Sequence, residues 1–294
     1  MKTHAQVPTV YIVNEKVWRI YFSSRDPAGK SRIGFIDVES HNPSHILYKH
    51  PEPILDLGPL GSFDEAGVMP SWVLQNKNRV YLYYIGWFQG KNIPYHNSIG
   101  LAISTDNGQS FKKYAEGPVF GRTLTEPYFT GTSCILIDKG IWKNWYMSCV
   151  GWTMVGGKPE PRYHIKYAES LDGICWKRDA LVAIDFKSPD EAGIVKASVL
   201  KVDDVYLMWY AYRQKRGYRT NPKYSYRIGY AESLDGVVWE RKDTEAGIQL
   251  SQSGWDSQMI AYPHVFEMDN KRYLFYNGNG FGQSGLGYAL WEES

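Results

Sequence analysis

The chain has 294 residues, with 33 Lys+Arg against 31 Asp+Glu and a formal net charge of +2. That balance argues against a nucleic-acid or membrane-surface protein, which needs a basic excess on one face. The length is ample to bury a core in one large domain or two small ones, and no run reaches the roughly 18 apolar residues of a membrane-crossing helix.

Aromatic residues make up 15% of the chain (11 Trp, 23 Tyr, 11 Phe), and with 28 Gly they favour strands and tight turns over helices. The three cysteines, Cys134, Cys149 and Cys175, have no framework spacing and read as reduced, buried thiols. The opening "MKTHAQVPTV" lacks the apolar run of a signal peptide, so a cytoplasmic protein is expected.

In chain order, a first unit (near 4–50) opens on "HAQVPTV" and continues through "WRIYFSSRD". The second (64–116) runs "VMPSWVLQ", the turn "NKN", the aromatic stretch "RVYLYYIGW", a loop, and "NSIGLAISTDNGQSFKKY". The third (126–180) repeats the order with "GTSCILID", "NWYMSCVGW" and "YHIKYAESLDGICWKRD". The fourth (190–243) does so with "VKASVLKV", "VYLMWYAYR" and "YRIGYAESLDGVVWERK". The last (255–294) has "IAYPHVFEM" and "KRYLFYNGNG" and stops after a third strand at "LGYALWEES". Four short antiparallel strands every 60 to 66 residues, without helical periodicity, predict an all-β fold: a single domain over 1–294 that forms a five-bladed β-propeller of four-stranded blades, the last three-stranded.

The repeated "SLDG" (Ser170–Gly173 and Ser233–Gly236), with "STDNG" at Ser104–Gly108, is read as a hairpin turn and not a site. Its Asp accepts backbone N–H groups, its Gly takes a positive φ and the following aromatic packs between sheets. These turns share one face with the turns between first and second strands. The starts of the first strands and the loops after the second strands share the other face.

At those starts an acid recurs: Asp64 and Glu65 in "FDEAG", Glu126 in "TEP", Asp190 and Glu191 in "PDEAG", and Asp256 in "WDSQM". From Asp64 to Glu126, Glu191 and Asp256 the successive spacings are 62, 65 and 65 residues, so the acids are expected to converge at the mouth of a central channel. Loops on the same face bring Arg25 and Asp26, Trp87 and His96, Trp152 and His164, Arg213 and Arg227, and Asn277. Carboxylates ringed by aromatic, Arg, His and Asn side chains suit a carbohydrate, with paired carboxylates as acid and base or nucleophile. Four Arg in the fourth unit's loop point to an anionic group on the ligand or to a solvated basic loop. Dispersed His residues and the lack of HExxH or CxxC predict no metal and no cofactor.

The axial acids and "SSRDP" resemble the five-bladed glycosidase superfamily of glycoside hydrolase families 43, 32, 68 and 130. "HAQVP", "YFSSRD", "GYAESLDG" and "WDSQMIAYP…YNGNGFG" are similar to an uncharacterised glycosidase-like group of bacterial polysaccharide gene clusters. The resemblance implies a glycosidase with Glu126 as general acid and Asp64 as the stabilising Asp, while Asp26 in "RDP" resembles the invertase motif. Glu191 and Asp256 complete the expected carboxylate set. His4, Arg25, Glu65, Trp87, His96, Trp152, His164, Arg213, Arg227 and Asn277 are the expected substrate contacts. A structural calcium near the axis occurs in several such families, but no calcium-loop motif is present here. One departure stands out: before "VPTV", where those families carry a base or nucleophile, the chain has Met1, Lys2, Thr3 and His4. A non-catalytic carbohydrate-binding propeller, or a transferring or phosphorolytic relative, is therefore the alternative. The expected partner is a carbohydrate or sugar-containing small molecule, bound by a monomer or weak oligomer, with no nucleic acid and no membrane.

Overall fold

The second strands show why this sequence forms packed sheets. In Arg79–Phe88, Val80, Leu82 and Tyr84 are buried in one core cluster, while Tyr83 and Ile85, on the opposite face, are buried in another. Val205–Gln214 does the same, with Met208 and Tyr210 on one side and Trp209 on the other. A strand buried on both faces reads as a near-continuous apolar run, which explains the aromatic stretches.

A computed structural model describes residues 3–291, so Met1, Lys2 and the last three residues of the expected domain lie outside it. The described residues are nearly all β. β1 (Thr3–Asn14), β2 (Val17–Arg25), β3 (Ser31–Glu39) and β4 (Asn42–Lys49) pair in succession, each antiparallel to the last. So do β5 (Gly67–Asn76), β6 (Arg79–Phe88), β7 (His96–Ser104) and β8 (Lys112–Lys113). The next meander is β9 (Thr130–Asp138), β10 (Ile141–Val155), β11 (Lys158–Ser170) and β12 (Trp176–Lys177), with β13 (Val182–Ile184) also against β11. Then come β14 (Glu191–Val202), β15 (Val205–Gln214), β16 (Arg227–Ser233) and β17 (Glu240–Arg241). β18 (Ala261–Met268), β19 (Lys271–Asn277) and β20 (Leu286–Leu290) complete the order. Helical structure is confined to single turns at Pro222–Tyr224, Asp243–Glu245 and Asn279–Gly282.

Successive meanders touch through their first strands, β1 with β5, β5 with β9, β9 with β14, β14 with β18, and β18 with β1. Each of these strands has a register shift at its start or in its middle, at Gln6/Thr9, Pro70/Trp72, Thr130/Ser133, Val195/Ser198 and Ala261/His264. A bulge turns side chains out of the pleat and frees backbone groups. Those groups are taken up by the neighbouring first strand. Ser71 Oγ donates to the Ser133 carbonyl and accepts from its N–H (3.1 and 2.6 Å), Thr132 Oγ1 accepts from Lys196 N (2.9 Å), and Ser198 Oγ accepts from Val265 N (2.7 Å).

Between the bulged strands, Trp72, Cys134, Lys196 and His264 form a buried layer. Lys196 Nζ lies 4.9 Å from the Trp72 ring centre, and the Trp72 and His264 rings are 4.7 Å apart. The Lys196 amine has no hydrogen-bond partner, and burial brings its pKa down to about 8.

The SxDG turns join neighbouring meanders. Tyr21 Oη donates to the Gly108 carbonyl (2.6 Å), Tyr83 Oη to that of Gly173 (2.8 Å) and Trp145 Nε1 to that of Gly236 (2.7 Å). Within the turn, Asp172 Oδ1 accepts from Ile174 N and Cys175 N, both at 2.8 Å, as the sequence reading expects. Cys134 and Cys149 are buried, whereas Cys175 is exposed beside this turn, which corrects the expectation that all three thiols are buried.

Gly173 and Gly140 both have positive φ (74° and 81°), but a Cβ on Gly173 would lie 2.6 Å from the Trp142 ring and Tyr83 hydroxyl, while one on Gly140 meets nothing within 4 Å. Urea unfolding should therefore show Gly140→Ala costing about 1 kcal/mol and Gly173→Ala about 1–3 kcal/mol more; equal losses would remove the packing role of the turn. Lys196→Met should stabilise the fold at neutral pH by about 3 kcal/mol, the cost of charging a buried amine. A lowered pKa means the folded state holds fewer protons between pH 8 and 10.5, so wild-type stability rises across that window and the advantage of the variant disappears.

Candidate functional site

A cavity of about 380 Å³ opens among the starts of the first strands and the loops after the second strands. β1 supplies His4, Gln6 and Val7, and the other first strands supply Met69, Thr132, Val195 and Tyr262. Arg25 and Trp87 come from the ends of β2 and β6, Tyr163 from β11, Tyr95, Tyr218 and Arg219 from loops, and Tyr226 and Phe281 close the wall. Val7 and Tyr262 hold positive φ (54° and 58°) at their bulges, a conformation non-glycine residues rarely adopt, and this aims both side chains at the cavity. The volume lies in the range of small-molecule sites.

No Asp or Glu is among the lining residues. None of the recurrent acids lines this cavity, and each is engaged by its own local partners. Asp64 accepts from Ser62 Oγ and Tyr84 Oη (2.9 and 3.1 Å) and pairs with Lys113 at 2.7 Å. Glu126 accepts from Tyr146 Oη (2.8 Å) and pairs with Lys166 (2.9 Å) and Arg178. Glu191 is held by both terminal nitrogens of Arg241 (2.8 and 2.9 Å), and Asp256 accepts from Tyr276 Oη (2.8 Å). All four are buried, and no two share a partner. Each acid is therefore a tie within its own meander, from the approach to its first strand to a second-strand Tyr or a cation at or beyond the outer strand. Asp26 likewise folds back on the N–H groups of Ala28 and Lys30 (2.9 and 3.0 Å) and on Arg32 (3.4 Å), and Glu65 accepts from Gly61 N (2.6 Å).

Of the expected substrate contacts, His4, Arg25 and Trp87 line the cavity. Burial, then the nearby Arg25, lowers the His4 pKa, so the imidazole is neutral at pH 7. Trp87 Nε1 donates to Ser31 Oγ (2.6 Å), which fixes its ring against the wall. Trp152 packs behind the wall against Tyr95 and Phe129 (5.8 and 5.5 Å). Arg213 also lies behind it, 1% exposed, with Nε donating to the Tyr163 and Tyr226 hydroxyls (3.4 and 3.3 Å). Asn277 is buried and accepts from Val7 N (3.2 Å), which supports the bulge. The remaining three lie elsewhere. His96 stacks on Phe88 and contacts Arg122, His164 pairs with Asp185 (2.9 Å), and Arg227 donates to the Pro222 and Tyr226 carbonyls (2.6 and 2.8 Å).

The sequence reading did not place Gln6, Tyr163, Tyr218, Tyr226, Tyr262 or Phe281 in the site. A usable signal was present: these are aromatic or amide residues at the same strand starts and loops, offset from the recurrent acids. Tyr218 Oη donates to Glu160 Oε2 (2.6 Å), and Glu160 Oε1 also pairs with Arg219 (3.3 Å). Among the described residues, no group of three or more His, Cys, Asp and Glu is placed to hold a metal ion.

No family model matches the chain. Among solved structures it is similar to a glycoside hydrolase with a TM-score of 0.72 at 16% identity, over 99% of this chain and 88% of that protein. A thermostable family-43 glycoside hydrolase gives a TM-score of 0.69 at 17% identity, over 98% and 89%. The Bombyx mori GH32 β-fructofuranosidase BmSUC1 gives 0.62 at 14% identity, over 98% of this chain and 61% of the enzyme. At such identities the likeness is one of fold, that of propeller glycoside hydrolases. In sequence, the chain is 34% identical over 291 residues to the uncharacterized protein Rv1502 of Mycobacterium tuberculosis (strain ATCC 25618 / H37Rv), spanning 99% of this chain and 93% of that protein. The uncharacterized protein MT1551 of strain CDC 1551 / Oshkosh matches equally well. With a third of the residues shared along nearly all of both proteins, the chain plainly belongs to the family of these uncharacterized mycobacterial proteins.

Proposed function

We propose that this protein is a five-bladed β-propeller, one domain with blades near 4–50, 64–116, 126–180, 190–243 and 255–294, that binds a saccharide in its central cavity. Five successive meanders, with first strands in contact from β1 round to β18 and back, support the blade count. The observation that carries the function is the cavity wall. Trp87 and the Tyr95, Tyr163, Tyr218, Tyr226 and Tyr262 rings offer stacking faces and hydroxyls, and Arg25, Gln6 and Asn97 offer polar contacts, on a fold shared with glycoside hydrolases. Because Glu126, Asp64, Glu191 and Asp256 are buried in ties away from the wall, carboxylate acid/base hydrolysis by that set is not part of this reading.

Calorimetric titration with a panel of neutral and acidic mono- and disaccharides tests it. Trp87→Ala should weaken binding about tenfold or more, the loss of a stacking ring in a desolvated wall. Glu126→Gln should leave affinity unchanged while lowering stability by about 3 kcal/mol, since Lys166 and Arg178 lose a buried counter-charge. Loss of affinity in Glu126→Gln, with the fold intact, would return that acid to the site.

One observation favours a second reading, in which the cavity also turns its ligand over. Tyr218, at the wall, donates to Glu160 outside the lining, and the two have the form of a nucleophile and its base. The Tyr218 proton would pass to Glu160 as its oxygen bonds to the anomeric carbon, and the departing oxygen would take a proton from solvent; water would then attack the anomeric carbon, the Tyr218 oxygen would leave and recover its proton from Glu160, and the water's proton would go to solvent. Burial pushes the Tyr218 phenol above its ordinary pKa and Arg213 opposes it. Tyr218→Phe should abolish release of the departing group from aryl glycosides, read by mass spectrometry, and retain binding. Undiminished release in that variant removes the second reading.

A further inference from the structure

Resting on the saccharide reading, we infer that the ligand carries an oxyanion, a carboxylate or a phosphate, seated against Arg25. Three guanidinium groups gather here. Arg25 and Arg219 line the cavity, and Arg213 lies directly behind it. A single carboxylate, Glu160, answers them, and it is committed to Arg219 and Tyr218.

Arg213 is satisfied by neutral groups alone: the Tyr163 and Tyr226 hydroxyls and the Gln214 and Pro161 carbonyls (both 3.0 Å). Arg25 makes no ion pair among the described residues. Among the described residues its one side-chain hydrogen bond is a long 3.4 Å bond to the Gly29 carbonyl, and its Nε is buried without an acceptor. The neighbouring Asp26 carboxylate is turned to Arg32 and two backbone N–H groups.

Two neutral groups lie beside these guanidiniums. Gln6 is 5% exposed and lines the cavity, with its amide oxygen buried and unpartnered, so it adds no counter-charge. Tyr163 and Tyr226 hydrogen-bond to each other while both oxygens face Arg213 Nε. One of the two phenols must donate to the other, so they meet Arg213 as neutral hydroxyls and supply no negative charge.

The cavity thus offers donors and about two uncompensated positive charges in a partly water-excluded space. A neutral ligand would leave Arg25 desolvated without an acceptor, whereas an oxyanion satisfies it.

The test is calorimetry on the full chain with four probes: a methyl glucoside, the matching methyl glucuronide, glucose 1-phosphate and inorganic phosphate. The charged sugars should bind about tenfold or more tightly than the neutral one, with an advantage that shrinks as salt is raised. Preference for the glucuronide over the sugar phosphate, or the reverse, identifies the oxyanion. Arg25→Gln should erase the discrimination and Arg25→Lys keep part of it, with circular dichroism unchanged. Arg219→Gln, at an exposed position, provides a second variant that should reduce it. Equal affinity for neutral and charged sugars overturns the inference and leaves the saccharide reading standing. Binding of inorganic phosphate as tight as that of the sugar phosphate, with no sugar bound, upholds the oxyanion and overturns the saccharide reading. Binding of none of the four overturns both.

Discussion

The structure depends on how five first strands from separate meanders can lie side by side without a continuous ladder between them. Each carries a bulge, and between β5 and β9, β9 and β14, and β14 and β18 the backbone groups there are met by the Ser71, Thr132 and Ser198 side chains. Unpaired backbone groups in so dry a place would cost as much as a lost hydrogen bond each. Short hydroxyl side chains at the bulges are the solution, because they reach a neighbouring backbone without pushing the strands apart. The same bulges aim Val7 and Tyr262 into the cavity, so closing the structure and shaping the site are one arrangement.

Much of the fold was legible because its signals are periodic and local. "RVYLYYIGW", "NWYMSCVGW" and "VYLMWYAYR" lie in β6, β10 and β15, and "VMPSWVLQ" lies in β5. Burial on both faces forces these stretches to be aromatic, and that shows in a single sequence. Fourth strands were less legible: β8, β12 and β17 are two residues long, too short to carry a pattern. β13 was not anticipated, and the bulges left no mark, since a bulge is a property of pairing between strands.

Part of the candidate site was legible in the repeat: His4, Arg25 and Trp87, expected from the turn-and-loop argument, line the cavity, while the recurrent acids are not among its lining residues. Asp64, Glu126, Glu191 and Asp256 recur in register because each performs the same structural task in its own meander, tying it to a tyrosine or cation. Arg25 and Trp87 stand at the ends of the second strands of their meanders, where the repeat leads to them, while Gln6, Tyr218 and Phe281 lie outside the stretches read as recurrent.

The layer of Trp72, Cys134, Lys196 and His264 lies one to three residues further along the first strands than Met69, Thr132, Val195 and Tyr262 of the cavity wall. It packs an indole, a thiol, an amine and an imidazole into the space between the strands next to that wall. Close-packed interiors transmit changes of volume, so a substitution in this layer is felt at the cavity wall one to three residues away.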